Sequence, residues 1–137
     1  MFMSIKNNEG LQQTTSTVCI ADSDAEVCRS IQALLESEDI PATAFTDGQG
    51  ILDFVLLTPP SCVVAAALLT DITGVMLLKR LRELGLHVPV IMLANTSDIS
   101  MAVDAVKAGA WDYFEKPYIQ RVLLDSVQRA IRHNQLQ

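Results

Sequence analysis

VPVIMLANTSDISMAVDAVKAGAWDYFEKP, residues 88–117, holds one whole period of the pattern that decides the fold. Val88–Ala94 is an apolar run of strand length. Thr96, Ser97 and Asp98 are side chains that cap helix N-termini, so a helix is expected from there through Ala108. Gly109 closes it, as glycine does at the left-handed position after a helix. Ala110–Phe114 then reads as the next strand, with Trp111 and Tyr113 on one face and Asp112 and Phe114 on the other. It runs into Glu115-Lys116-Pro117, where the proline favours an extended residue before it.

The same strand–helix period extends outward in both directions. Thr17–Ala21 is a short strand, followed by a helix from about Asp24 to Ser37 with Val27, Ile31, Leu34 and Leu35 on one face. Ala42–Thr46 is a second strand. Asp47-Gly48 opens a second helix, which carries Ile51, Leu52, Val55 and Leu56 and stops at Thr58-Pro59-Pro60. Cys62–Ala66 is apolar throughout, as a parallel strand covered on both faces must be. Thr73 or Gly74 starts a third helix through Leu84, closed by Gly85. The last helix is expected over Tyr118–Arg132, with Val122, Leu123, Val127, Ala130 and Ile131 as its stripe. Five β-α units in strict alternation imply an α/β fold, a doubly wound (βα)5 parallel sheet of five strands. Residues 1–16 read as a flexible lead-in, 17–132 as the domain and 133–137 as a polar tail.

Composition narrows the function. The chain has 137 residues, half of them hydrophobic, which allows a sizeable core without disulfides or metal. Ten basic against sixteen acidic residues leave a net charge of −6, which argues against direct nucleic-acid binding. Cys19, Cys28 and Cys62 are an odd number with no metal-ligand spacing, and read as buried thiols in a reducing, cytoplasmic setting. Residues 1–17 lack a signal-peptide apolar core, and the longest apolar run, Cys62–Leu69, is too short for a membrane span.

In open parallel sheets, ligands bind beyond the carboxyl ends of the strands. Four segments therefore matter: Asp22-Ser23-Asp24, Ala66 to Asp71, Ala94 to Ser97, and Glu115-Lys116-Pro117. Asp22 and Asp24 are weak candidates for magnesium, since a hard cation wants several converging carboxylates. Ser23-Asp24-Ala25-Glu26 fits the S-x-x-E capping box of the first helix. Lys116 is placed to pair with Asp22 across the top of the sheet. His87 and His133 have no nucleophile or carboxylate at motif spacing and read as solvated.

These segments, together with Asp98–Ala110 and Asp112–Pro117, resemble the receiver domain of two-component response regulators, over about residues 17–132. The resemblance implies a flavodoxin-like sheet with strand order 2-1-3-4-5. It also implies an acidic pair after strand one, a phosphoacceptor Asp ending strand three, a hydroxyl ending strand four and a Lys before Pro ending strand five. A partner histidine kinase would supply the phosphoryl group, with Mg²⁺ and the Lys clamping it. Asp22, Lys116 and Pro117 match, and Tyr113 matches the switch aromatic. Ser23 stands where the second acid belongs, Ala66 at the acceptor position and Ala94 at the hydroxyl.

The expectation is a non-enzymatic, receiver-like module in two-component signalling that has lost its phosphorylation chemistry. It would regulate transcription by protein contact, through an attached or partner effector and with a sensor kinase as a possible input. It is either part of a longer regulator or a stand-alone adaptor. The resemblance implies self-association through the fourth helix, fifth strand and fifth helix, where Lys107, Trp111, Tyr113, Arg121 and Asp125 lie. Three other readings stand beside it. One is an active receiver with Asp71 as a shifted acceptor; another is a small-ligand sensor using the space beside Ala66 and Ala94. The third is a flavodoxin-like redox protein, disfavoured because Ala21–Ala25 presents negative charge where phosphate would sit.

Overall fold

The computed structural model of the chain describes residues 16–136. The expected lead-in thus lies outside the described residues except for Ser16. Five parallel strands form one sheet: β1 (Val18–Ala21), β2 (Ala42–Phe45), β3 (Cys62–Ala66), β4 (Val90–Ala94) and β5 (Asp112–Glu115). Their order is β2-β1-β3-β4-β5, the expected 2-1-3-4-5. The helices are α1 (Ala25–Glu36), α2 (Gly48–Leu57), α3 (Gly74–Glu83), α4 (Ile99–Lys107) and α5 (Gln120–Gln135).

Burial follows position in the sheet. Every residue of β1, β3 and β4 is buried, because helices cover both faces of these central strands. On one face α2, α3 and α4 pack through Ile51, Leu77, Leu81 and Ala105. On the other, α1 and α5 pack through Ile31, Leu35, Leu123 and Val127. The edge strand β5 alternates: Asp112 and Phe114 turn inward, Tyr113 and Glu115 outward.

Register brings the carboxyl ends level. Ala21 pairs with Ala65, Ala66 with Leu93, and Ala94 with Glu115. The residues that follow β1, β3, β4 and β5 therefore meet above the same edge. Gly74 holds α3 close to this edge. A Cβ there would come within 2.8 Å of the Ala66 carbonyl and 2.7 Å of the Met92 sulfur, so only glycine lets the helix start so near the strands.

Several local expectations are corrected. The N-cap of α1 is Asp24, whose carboxylate accepts from the Glu26 N–H at 2.9 Å; Ser23 is exposed and does not cap. Glu26 pairs with Arg29 on the helix surface instead of closing a capping box. Thr96–Asp98 form a 3₁₀ turn ahead of α4, and no side chain caps either element. The Ala110 N–H bonds back to the Ala105 carbonyl at 2.9 Å, completing the end of α4 with Gly109 at φ +110, so β5 begins at Asp112. The last helix runs to Gln135, so most of the expected tail is helical. Its buried stripe includes Leu124 and Ser126, while Val122 faces outward at 45% exposure.

Candidate functional site

Above the strand ends lies a cavity of about 160 Å³. Its lining includes Asp22, Ser23 and Asp24 from the loop after β1, Ala66 and Leu68 from that after β3, Asn95 and Asp98 beyond β4, and Lys116. Asp22 is the buried charge of this floor, only 2% exposed. Its Oδ2 accepts from Lys116 Nζ at 2.6 Å, and its Oδ1 accepts from the Asp24 N–H at 2.9 Å. Both carboxylate oxygens are thus engaged, as a buried charge requires. Lys116 is held from the backbone side as well: its N–H bonds the Ala94 carbonyl at 2.8 Å, and its peptide to Pro117 is cis. Burial, with the charge of Asp22, pushes the Tyr118 hydroxyl pKa up. Burial foremost, with the nearby Asp22 charge, also pushes up the Cys28 thiol. That thiol donates to the Asp22 carbonyl at 3.3 Å.

The structure brings Asp22, Ser23, Asp24, Ala66 and Lys116 around one cavity. Ala94 is buried at the end of β4 and is not on the cavity lining, although its neighbours Leu93 and Asn95 are. Asp71 is elsewhere. Its Oδ1 accepts from the N–H groups of Gly48 at 2.9 Å and Ile72 at 3.0 Å, and its Oδ2 from that of Gln49 at 2.9 Å. These bonds, led by that from Gly48, hold its carboxyl below the ordinary aspartate value. Asp71 therefore ties the β3–α3 loop to the start of α2, 23 residues away in sequence.

Asp98 is the charged lining residue that sequence reasoning missed. Its residue type suggested a cap, but the 3₁₀ turn places it at the cavity, with Asn95 Nδ2 donating to it at 3.4 Å. The signal that could have found it was its place just beyond the carboxyl end of a strand. As for magnesium, the donor set does not fit a tight site. Asp22 is committed to Lys116, Asp24 to the helix cap, and Ala66 brings no side-chain oxygen. Among the described residues no three His, Cys, Asp or Glu side chains gather as a metal cage.

Along the sheet edge, Lys107, Trp111, Tyr113, Arg121 and Asp125 are all exposed. Asp125 pairs with Arg129 at 3.1 Å. The Trp111 ring lies 4.9 Å from that of His133, which belongs to α5 and was not expected to contact it. Tyr113 sits on this edge, away from the cavity lining.

A family model described as the response regulator receiver domain matches residues 18–128. The chain belongs to this family. Transcriptional regulatory protein TdiR of Thauera aromatica is 34% identical over 119 residues, covering 87% of this receiver chain and 52% of TdiR. Transcriptional regulatory protein FixJ of Rhizobium meliloti is 31% identical over 120 residues, covering 88% and 59%. The receiver chain thus spans about half the length of the curated relatives it matches. Full-length FixJ from B. japonicum superposes with a TM-score of 0.81 at 32% identity, over 88% of this chain and 60% of that one. A structure titled FixJ-N gives 0.80 at 30% identity, over 86% and 94%. Among the described residues no helix is long and apolar enough to cross a membrane.

Proposed function

We propose that this receiver domain signals without accepting a phosphoryl group. The observation that carries the reading is Ala66 at the end of β3, lining the same cavity as the Asp22–Lys116 pair. Transfer to an aspartate needs a carboxylate at that strand end and cations to clamp the phosphoryl oxygens. Ala66 offers a methyl group, Ser23 no carboxylate and Ala94 no hydroxyl. Lys116 and Asp22 neutralise each other, so the pair holds the strand ends together as a structural clasp. Magnesium binding is weak for the same reason.

The domain is not itself an enzyme. It passes its signal by contact, to a second copy and to an effector acting on transcription, either attached or separate. The relatives described as transcriptional regulators support this. The contact face is the α4–β5–α5 edge, with Trp111 and Tyr113 as anchors and Lys107, Arg121 and Asp125 around them. Incubation with acetyl phosphate and Mg²⁺, followed by intact mass, tests the first claim. No mass gain is expected; one phosphoryl group mapped to any aspartate overturns it. Sedimentation of the wild type against a Trp111→Glu/Arg121→Glu variant tests the face. The wild type is expected to associate and the variant to do so more weakly; equal association of the two refutes the assignment.

A further inference from the structure

Helix α4, part of the α4–β5–α5 edge, is the least firmly held of the five helices. Its buried residues are Ala102 and Ala105, which bring one methyl group each to the core. Helix α3 buries Leu77, Leu78 and Leu81, and α2 buries Ile51, Leu52 and Val55. Burial stabilises in proportion to the apolar area removed from water, so α4 gains least from the core. Neither α4 nor the 3₁₀ turn before it has a side-chain cap. Its two ends also differ. The C-terminal end is tied by backbone bonds, from the Ala110 N–H to the Ala105 carbonyl at 2.9 Å and from the Trp111 N–H to the Val90 carbonyl at 2.7 Å. The N-terminal end has only the partly buried Ile99 and Met101 against the core.

Thr96 reaches out from that end. Its hydroxyl donates to Glu115 Oε2 at 2.6 Å, the spacing of a hydroxyl bonded to a charged carboxylate. Among the described residues this is the single side-chain hydrogen bond or ion pair from residues 95–107 to another element. The side-chain bonds of Asn95 and Ser97 both end on Asp98, within the same turn. Asn95 and Asp98 line the cavity, and Glu115 stands with Tyr113 on the outer side of β5. The bond therefore joins the cavity wall to the contact edge. Ala94, the register partner of Glu115 in the sheet, has no hydroxyl; Thr96, two residues on, supplies one and bonds it to β5.

We infer that the Thr96–Glu115 hydrogen bond is a latch that sets the order of α4. Closed, it holds the N-terminal end of the helix to β5. Open, it frees that end while the Ala110–Trp111 end stays in place. A two-state element of this kind needs no phosphoryl group to bias it. Its bearing on association rests on the reading of the α4–β5–α5 edge as the contact face.

The test is amide hydrogen exchange on the full chain at low micromolar concentration. Thr96→Val keeps the side-chain shape and removes the hydroxyl. Thr96 and Glu115 are exposed and water competes for their bond, so exchange over residues 99–104 should speed by about threefold, with β3 and α1 unchanged. Thr96→Ser keeps the hydroxyl and should exchange as wild type. Thr96→Val/Glu115→Gln should exchange no faster than Thr96→Val, because the two changes remove one bond. Equal exchange in Thr96→Val and wild type, a speed-up shared by every helix, or a double variant in which the two effects add overturns the latch. Repeating the measurement at high micromolar concentration separates the latch from the contact face. Exchange in α4 should then slow, since association engages the helix. Exchange that responds to Thr96→Val but not to concentration keeps the latch and refutes the contact face.

Discussion

Replacing Asp71 by alanine should loosen the domain at neutral pH and do so less in acid. The carboxylate accepts three backbone N–H bonds, from Gly48, Gln49 and Ile72, at 2.9 to 3.0 Å. The first two are orphan donors of the first turn of α2, where a negative charge also meets the positive end of the helix. Asp71 is solvent-exposed, so water competes for every bond and screening trims the charge contribution. A lost cap costs about 1 kcal/mol, and here Asp47 still caps Gly50, so about 1 kcal/mol is the expected loss rather than the sum of three bonds. For a domain of this size that lowers Tm by about 4 °C. Asp71→Asn keeps one acceptor oxygen and loses the charge, and should cost about half as much. The pH dependence has a definite sign. The folded carboxyl sits below its ordinary value of 3.8, so its contribution is complete above that value and is lost as pH falls through the depressed one. Thermal unfolding of wild type and Asp71→Ala, compared at neutral pH and at about pH 2.5, measures both effects. Equal Tm values at neutral pH, or a deficit that persists undiminished in acid, would refute the assignment of Asp71 as a tie between loop and helix.

Lys116→Met strips the counter-charge from a carboxylate whose side chain is 3% exposed, and should destabilise the domain by about 3 kcal/mol in urea unfolding. The low end of the range applies because the lysine side chain is 18% exposed; a loss under about 0.5 kcal/mol would mean that the pair is not a clasp. Ala66→Asp alone should take up no phosphoryl group from acetyl phosphate, whereas Ser23→Asp/Ala66→Asp/Ala94→Thr should. Robust labelling of the single variant would show that Ser23 and Ala94 matter little. Burial pushes the Cys19 thiol up to about 11 and the Cys62 thiol up to about 12, so neither should react with iodoacetamide in the folded protein at about pH 8. Mass spectrometry showing native Cys62 alkylated as fast as in guanidinium would contradict the burial.

The architecture was legible because central parallel strands leave an unmistakable record. Cys62–Ala66 and Val90–Ala94 are apolar without interruption, and the glycines after α3 and α4 take φ +83 and +110 as their positions required. The ends were less legible. An S-x-x-E pattern pointed to Ser23, but Asp24 one residue on is an equally good cap, and it is Asp24 that accepts from the Glu26 N–H. The polar residues His133 to Gln135 carried no hydrophobic signal, yet they continue α5, where His133 meets Trp111. The Asp22–Lys116 pair could be anticipated from strand order, since both residues follow strands that end on one edge. The role of Asp71 could not. Its partners are backbone groups in another loop, and no local pattern records them.

The clasp between Asp22 and Lys116 joins residues 94 positions apart, which orders events during synthesis. Asp22 leaves the ribosome with the first strand; Lys116 leaves only when the fifth has been made. A nascent chain that has released β1 through α3 can pair three strands, but its Asp22 has no Lys116 to meet it. The ion pair can therefore form only after the last strand and its loop have been made.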